Sequence, residues 1–264
     1  MKMERINVLW TGGFDSSFVI CQLSLLPVEI QPIYISMRRK SEPFELKAMQ
    51  KIGEFINANS SKQCKLLPLR IVNEGDIQEN RQITDSYNTI IKEHQIGYQQ
   101  ERLSRLSRQM GEKLVQGIEE GPGGTGNVSS ALRNYATLVD GCIKLEGGEE
   151  IKFAELDPAG STREIMDIFW GIRFIKPLWD MTKLQTREAY KDIGYEKVMP
   201  MTWFCAQPVN GSPCGLCNPC ASVMKADMAF RLPLRAIIMF KLFKKNRVLN
   251  YFFVKLRMIH YRFR

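Results

Sequence analysis

The chain has 264 residues, of which 44% are hydrophobic, 10% aromatic and 25% charged. This composition excludes fibrous and disordered chains, and it supplies enough apolar material for one main α/β domain. No apolar stretch approaches the roughly 20 residues that a membrane-spanning helix needs, and the N-terminal residues lack the pattern of a signal peptide. We therefore expect a cytoplasmic protein without a transmembrane segment.

The formal net charge of +9 is concentrated near the C-terminus. Residues 229–264 contain ten Lys or Arg and no Asp or Glu, whereas residues 1–228 contain 27 basic and 28 acidic side chains. The sequence thus divides into a near-neutral body, residues 1–228, and a basic, aromatic tail, residues 229–264. Such a tail either packs on its own body or binds an anionic membrane, an acidic partner protein or, less favourably, RNA.

The first elements of the chain alternate between strand and helix. Residues 6–10 form an apolar run that ends at a Thr-Gly-Gly turn, and the pattern predicts an amphipathic helix at about 15–26. A strand at 30–36, a helix from Pro43 and a third strand at 66–72 follow. Alternation of this kind predicts a parallel sheet with ligand sites at the carboxyl ends of the strands.

The later elements are predicted to be mainly helical. An apolar stripe predicts a helix at about 98–116, and the Gly-Pro-Gly-Gly-Thr-Gly run at 121–126 is flexible enough to form a lid. Two capping boxes predict the starts of two more helices. These boxes pair Ser161 with Glu164 and Thr182 with Gln185.

The turn after the first strand reads Thr11-Gly12-Gly13-Phe14-Asp15-Ser16-Ser17. Backbone N–H groups and the positive end of the helix dipole converge at such a turn, and paired glycines allow close approach to phosphate oxygens. Neither Gly-x-x-x-x-Gly-Lys-Ser/Thr nor Gly-x-Gly-x-x-Gly is present. The turn resembles the Ser-Gly-Gly-x-Asp-Ser signature of the PP-loop ATP pyrophosphatases, with Thr11 at the first serine. A tight turn in a flavodoxin-like fold that binds no nucleotide is the alternative.

Four of the seven cysteines are clustered: Cys205, Cys214, Cys217 and Cys220. This spacing is typical of a metal site rather than a disulfide framework, and four thiolates form the closed shell of a structural zinc site. An iron–sulfur cluster is the competing interpretation, although residues 221–224 lack the further cysteine and proline of the ferredoxin pattern. The sequence therefore predicts a small zinc knuckle at residues 203–222.

Together the two motifs resemble the 7-cyano-7-deazaguanine synthase family of queuosine biosynthesis. The resemblance spans about residues 5–228 and includes Pro177-Leu178, Lys183 and Thr202-Trp203 ahead of the cysteines. It implies an adenine nucleotide α-hydrolase-like fold, with a parallel sheet and helices on both faces, and an ATP-dependent carbon–nitrogen ligase. In that family ATP activates the carboxylate of 7-carboxy-7-deazaguanine and ammonia attacks to give an amide. A second activation dehydrates the amide to a nitrile, and the zinc is structural.

The resemblance also implies roles for single residues. ATP would be bound by Thr11, Gly12, Gly13, Asp15, Ser16 and Ser17. Asp15, Ser16 and Lys183 would be the catalytic residues, although a solvated lysine in the first turn of a helix is the alternative for Lys183. The four cysteines would hold Zn²⁺. Mg²⁺ would accompany ATP near Asp15, although an Asp at this position is equally expected as a helix N-cap. Trp203 would either stack on a purine or pack against the zinc knuckle.

The middle of the chain departs from the family pattern. Residues 35–39 replace a segment resembling Asp-Tyr-Gly-Gln-x-His, and two later substrate segments have no convincing counterpart. This favours a divergent branch, of the sort found in glycan or phage-defence clusters, that joins a deazapurine or another carboxylate to a protein amine or another acceptor instead of free ammonia. A nucleotide-binding regulatory module without chemistry and an inactive scaffold that acts through its tail are the alternatives. Homo-oligomers are compatible with each.

Overall fold

The computed structural model describes residues 3–94, 96–97, 99–119, 127–226 and 228–244. The chain divides into two compact units. The larger unit comprises residues 1–37 and 48–202, and the smaller comprises residues 38–47 and 203–264. The predicted lid at 121–126 and the tail beyond residue 244 lie outside the described residues.

The larger unit contains, within the described residues, an eight-stranded and mostly parallel sheet. Its strands are β1 (Glu4–Leu9), β2 (Val28–Ser36), β3 (Lys65–Leu66), β4 (Arg70–Asn73), β5 (Leu114–Gln116), β6 (Leu138–Lys144), β7 (Glu150–Leu156) and β8 (Ile172–Ile175). Their order is β3-β2-β1-β5-β8-β7-β6, and β4 also pairs with β2. Among the described strands, five pairs are parallel: β3–β2, β4–β2, β2–β1, β1–β5 and β5–β8. The pairs β8–β7 and β7–β6 are antiparallel.

Seven α-helices of the described residues lie wholly or partly in the larger unit. They are α1 (Phe14–Ser24), α2 (Glu42–Asn57), α3 (Arg81–Ile90), α4 (Gln99–Met110), α5 (Asn127–Tyr135), α6 (Arg163–Ile168) and α7 (Lys183–Asp192), of which α2 begins in the smaller unit. Strand β2 is buried through most of its length, as expected for a strand near the middle of a parallel sheet. Ile33, Leu106, Leu114, Ile168 and Phe174 belong to the core that β2, α4, β5, α6 and β8 share.

The sheet has its switch point between β1 and β5. Strand β2 pairs along one side of β1 and β5 along the other, with Leu9 aligned with Ile33 and with Gln116. In an open parallel sheet, ligands bind outside the carboxyl ends of the strands where the strand order reverses direction. The turn after β1 and the segment after β5 both emerge at this point.

Several sequence predictions need correction. The helix predicted at 98–116 ends at Met110, where Gly111 takes a φ of +66°, and residues 114–116 form β5 instead. Thr162, not Ser161, is the N-cap of α6, since its side chain accepts the N–H of Ile165. The apolar character of 114–116 fits a helix stripe as well as a short buried strand, so periodicity alone could not distinguish them.

Other predictions are confirmed or refined. The Thr182 capping box is present at the start of α7, where the Thr182 and Gln185 side chains each bond the backbone of the other residue. The strand expected at 66–72 is divided into β3 and β4, both of which pair with β2. The antiparallel β6–β7 hairpin was not predicted, and it extends the parallel sheet at one edge.

The smaller unit contains the four cysteines and further short helices. Helix α8 (Asn218–Lys225) follows the cysteine loop, a 3₁₀ turn spans Ala229–Arg231, and α9 (Leu234–Met239) continues as a π-helix over Phe240–Lys244. Among the helices of the described residues, none has both the length and the apolar character needed to cross a bilayer.

Candidate active site and metal centre

The turn after β1 is held by its own hydroxyl groups. Gly12 has a φ of +65°, in the left-handed region that favours glycine, and Gly13 is the extended N-cap of α1 without a side-chain cap. The Thr11 N–H donates to the Ser16 hydroxyl at 3.3 Å, and the two hydroxyl oxygens lie 3.2 Å apart. These bonds hold the turn against the start of α1. The first N–H groups of a helix have no carbonyl acceptor within the helix, so they are available to bind an anion.

Ser17 has a different position from the other hydroxyl residues of the turn. Its side chain is fully buried and accepts the indole N–H of Trp10 at 3.0 Å. This bond ties the last residue of the turn to the residue that follows β1. The structure thus gives Ser17 a role in fixing the turn, while Ser16 lies beside Thr11.

Asp15 is the second residue of α1 and not its N-cap, so the capping interpretation is wrong. Its carboxylate forms an ion pair with Lys183, the first residue of α7. Lys183 was predicted to begin a capped helix, and it does so directly after Thr182. The structure therefore brings the catalytic candidates Asp15, Ser16 and Lys183 together at the start of α1.

Helix α7 is anchored to α1 independently of this ion pair. The Tyr190 hydroxyl donates to the backbone carbonyl of Phe14 at 2.7 Å in a buried position, and the two rings lie 5.1 Å apart. The Lys183 ammonium also lies 5.4 Å from the centroid of the Phe14 ring. These contacts hold the Lys183 backbone at a fixed place relative to the glycine turn.

A second carboxylate, Glu119, completes the group around Lys183. Its Oε1 lies 3.1 Å from the Lys183 ammonium, while its Oε2 is buried without a hydrogen-bond partner among the described residues. Glu119 follows β5, whose end is close to α1 because Gly117 has no side chain. A Cβ at Gly117 would lie 3.0 Å from the Asp15 carbonyl oxygen and 2.9 Å from Val19.

Sequence reasoning assigned no role to Glu119. The signal that could have found it is an acidic residue a few positions after a strand beside β1, since the segments following both strands meet at the switch point. That signal was hidden because the helix predicted at 98–116 covered β5.

The charges of this group modify one another. Burial, followed by the nearby Asp15 carboxylate, raises the pKa of Glu119 to about 7, although Lys183 opposes this. Burial tends to lower the pKa of Lys183, but Asp15 and Glu119 outweigh it and raise that pKa. Near neutral pH the site therefore holds a charged lysine and a Glu119 carboxyl that gains or loses a proton readily.

This arrangement suits the binding of a phosphate chain together with a divalent cation. Lys183 and the α1 N-terminus attract anions, and Asp15 and Glu119 supply the oxygen ligands that Mg²⁺ takes alongside phosphate oxygens. A nucleotide-bound Mg²⁺ takes only one or two carboxylates from the protein, and the nucleotide and water provide its remaining ligands. The two carboxylates of this site match that number.

The four predicted metal ligands form a separate cluster in the smaller unit. The sulfurs of Cys205, Cys214, Cys217 and Cys220 all lie within 4.8 Å of one another, and this is the one group of at least three candidate ligands within the described ranges. Cys205 and Cys220 are fully buried. Such an all-sulfur, preformed set could hold zinc.

Backbone N–H groups converge on the sulfurs, as is usual for thiolate ligands. The N–H of Cys214 points to the Cys205 sulfur at 3.2 Å, and those of Leu216 and Cys217 point to the Cys214 sulfur at 3.4 Å. Hydrogen bonds among the thiols lower the pKa of Cys214 but raise the pKa values of Cys205 and Cys220. The backbone N–H groups, by contrast, favour the thiolate form of Cys205 and Cys214 that metal binding requires.

The segments around the cluster pack closely on it. Trp203 stacks on Phe44 with ring centroids 4.6 Å apart and donates its indole N–H to the Cys205 carbonyl at 2.9 Å. Trp203 therefore packs against the cysteine segment, which was one of its two expected roles. Gly215 has a φ of +77°, and a Cβ there would lie 2.1 Å from the carbonyl oxygen of Ala236 in α9.

No protein-family model and no curated protein match the chain. Among solved structures, one similar chain is a predicted subunit of tRNA methyltransferase from Methanocaldococcus jannaschii, with 14% identity over 72% of this chain and 75% of that one and a TM-score of 0.35. Another is a 4-thiouridine synthetase in an RNA complex with bound ATP, with 15% identity over 90% of this chain and a TM-score of 0.40. The chain covers 54% of that synthetase's length.

Proposed function

We propose that the protein is an ATP-dependent enzyme of the PP-loop type, which activates a carboxylate by adenylation and releases pyrophosphate. The observation that carries the proposal is the meeting of the glycine turn with Lys183. Asp15 in the first turn of α1 pairs with Lys183 at the first position of α7, at the switch point of a parallel sheet. A cation beside two carboxylates at this place is the set of charges that a phosphate chain and its Mg²⁺ require.

The site residues would act by binding and positioning. The turn N–H groups, with the hydroxyls of Thr11 and Ser16, would hold phosphate oxygens, and Lys183 would offset the negative charge that develops on the departing pyrophosphate. Mg²⁺ would supply further charge neutralisation when bound, with Asp15 and Glu119 as its protein ligands. No side chain of the group needs to form a covalent bond to substrate.

The proposed substrate is a 7-deazaguanine-type carboxylate, and the attacking group is a nitrogen nucleophile, which makes the enzyme a carbon–nitrogen ligase. The resemblance of the glycine turn, Lys183 and the cysteine cluster to the 7-cyano-7-deazaguanine synthase family supports this assignment. The altered segment at 35–39 favours a different acceptor, such as a protein amine, over free ammonia. Zinc at the cysteines would have a structural role.

The decisive experiment mixes the protein with ATP, Mg²⁺, ammonium and 7-carboxy-7-deazaguanine and measures pyrophosphate beside nucleotide binding. We expect carboxylate-dependent pyrophosphate release that falls by about 100-fold or more in Ser16→Ala. The exposed Ser61→Ala variant is the control and should keep full activity. Nucleotide binding without pyrophosphate release would favour the regulatory module, and the absence of both would overturn the proposal.

A further inference from the structure

The outer face of the last described helices carries an aliphatic stripe. Leu234, Ile238 and Leu242 are 73%, 46% and 53% exposed and follow one another at intervals of four residues. Residues spaced in this way lie along one side of a helix. Such large aliphatic side chains, aligned and exposed together, form a patch rather than scattered surface residues.

The opposite side of the same helix is fixed to the cysteine loop. Ala236 is 1% exposed, and its backbone carbonyl lies against Gly215, where no side chain could fit. Leu232 and Met228, just before α9, are also buried. The stripe is therefore not the face by which α9 packs on its own unit.

Cations flank the stripe. Arg235 and Lys241 are exposed on the same helical segment. From residue 229 onward the chain contains no Asp or Glu, and the 20 residues that follow the described helix add six Lys or Arg and five aromatic side chains. The chain ahead of residue 229 is close to neutral, so the positive charge is local to this segment.

We propose that this face, defined by Leu234, Ile238 and Leu242 with Arg235 and Lys241, binds the surface of an anionic lipid bilayer. An interfacial helix of this kind places aliphatic side chains at the boundary of the acyl chains and its cations among the headgroups. A lipid surface fits this face better than RNA, because the aliphatic side chains of Leu234, Ile238 and Leu242 offer no stacking surface to a base.

The test is co-sedimentation of the full-length protein with vesicles of phosphatidylcholine, with and without phosphatidylserine. We expect binding to the anionic vesicles that weakens steeply as salt is raised, because attraction between exposed charges is screened over about 8–10 Å. The triple variant Leu234→Ser, Ile238→Ser and Leu242→Ser should bind roughly tenfold more weakly or worse. The matched control, Ile71→Ser with Val139→Ser, removes exposed aliphatic side chains of the larger unit and should bind like the wild type.

A second measurement does not depend on variants. Hydrogen exchange of the wild-type protein should slow over residues 234–244 when anionic vesicles are added. Equal binding to neutral and anionic vesicles would overturn the electrostatic part of the proposal. Unchanged binding of the triple variant, or unchanged exchange over 234–244, would overturn the assignment of this face, and binding to RNA or to an acidic protein without binding to vesicles would replace it.

Discussion

The ammonium of Lys183 lies 3.1 Å from Oε1 of Glu119, a residue that reaches the site from the other side of the switch point. Lys183 thus has two carboxylate partners, since Asp15 contacts it from α1. An arriving phosphate chain must compete with both partners for the same ammonium. Protonation of Glu119, or its binding to a cation, removes one competitor, so affinity for nucleotide and the charge of Glu119 are linked.

The first prediction concerns stability. Glu119 has a folded-state pKa of about 7, above its ordinary 4.5, so the folded protein holds this proton more tightly than the unfolded chain. Its contribution to folding therefore becomes less favourable as pH rises from 4.5 to 7 and is constant above that window. We expect Glu119→Gln to gain about 1–3 kcal/mol in unfolding free energy relative to wild type across the window.

Urea unfolding at a series of pH values measures this difference. Glu146→Gln, which changes an exposed carboxylate, is the control and should show no such trend. Lys183 gives a trend of the same sign but in a different window, because its raised pKa adds stability that is lost only at alkaline pH. A relative stability of Glu119→Gln that stays flat or falls between pH 4.5 and 7 would contradict the environment described for Glu119.

The second prediction concerns nucleotide binding. In the absence of Mg²⁺, Glu119→Gln should bind ATP about 3–10-fold more tightly than wild type at pH 8, where the wild-type carboxylate competes for Lys183. The difference should disappear near pH 5.5, at which Glu119 is already protonated. With Mg²⁺ present the advantage should shrink or reverse, because the variant lacks one oxygen ligand for the cation.

Isothermal titration of ATP with and without Mg²⁺ measures both effects. Lys183→Met combined with Glu119→Gln is the matched variant, since it removes the competing carboxylate and the cation together. That double variant should bind ATP more weakly than wild type at every pH. Equal affinities of wild type, Glu119→Gln and the double variant would show that phosphate does not approach Lys183.

The two sites could be predicted from the sequence because each contains a local motif. Contacts between residues far apart in sequence could not be predicted in this way. The glycine turn, the Thr182 capping box and the four cysteines are each contiguous or nearly so, and each has a short-range physical reason for its residue types. The contact of Lys183 with Asp15 joins residues far apart in sequence. The family resemblance and the unfavourable place of a cation at a helix N-terminus hinted at an anionic neighbour for Lys183, but neither identified Asp15. Glu119 was missed because the strand that precedes it, β5, has three residues and follows α4 closely in the sequence.

The β6–β7 hairpin shows a second limit. Its strands alternate only weakly between buried and exposed positions, and every residue of β6 is partly or fully exposed. An edge strand of this kind lacks the apolar run of a central parallel strand, so hydrophobic patterning does not reveal it. Hydrophobic patterning also fails to reveal the helices of the smaller unit. These helices are short and are organised around the cysteines, so they lack long apolar stripes.

The third prediction concerns the metal. Purified protein should contain about one zinc per chain, and Cys214→Ser should lose most of it, because a closed structural site needs all four thiolates. Chelation should lower the unfolding temperature of wild type by several degrees, since metal binding and folding of such a site are coupled. Elemental analysis and thermal unfolding are the measurements. The control is Cys142→Ser, which changes an exposed free thiol and should keep its zinc. The presence of iron with visible absorbance would contradict the zinc assignment.

The fourth prediction separates backbone strain from steric contact in the smaller unit. Gly211 and Gly215 have nearly the same φ, +76° and +77°, but a Cβ at Gly211 meets no atom within 4 Å, whereas a Cβ at Gly215 would lie 2.1 Å from the Ala236 carbonyl oxygen. Gly211→Ala should therefore cost only the left-handed penalty, about 1–2 kcal/mol. Gly215→Ala should cost at least about 2 kcal/mol more, because backbone rather than a mobile side chain must move.

Chemical unfolding of zinc-loaded protein, followed by a probe of the smaller unit such as Trp203 fluorescence, measures the two costs. Gly215→Ala should also loosen α9, so hydrogen exchange over residues 234–239 should accelerate in this variant and stay unchanged in Gly211→Ala. Nucleotide binding in the larger unit should be the same in both variants. Equal destabilisation by the two substitutions would mean that Gly215 is required for its φ alone and that the close approach of Ala236 is not what fixes α9 to the cysteine loop.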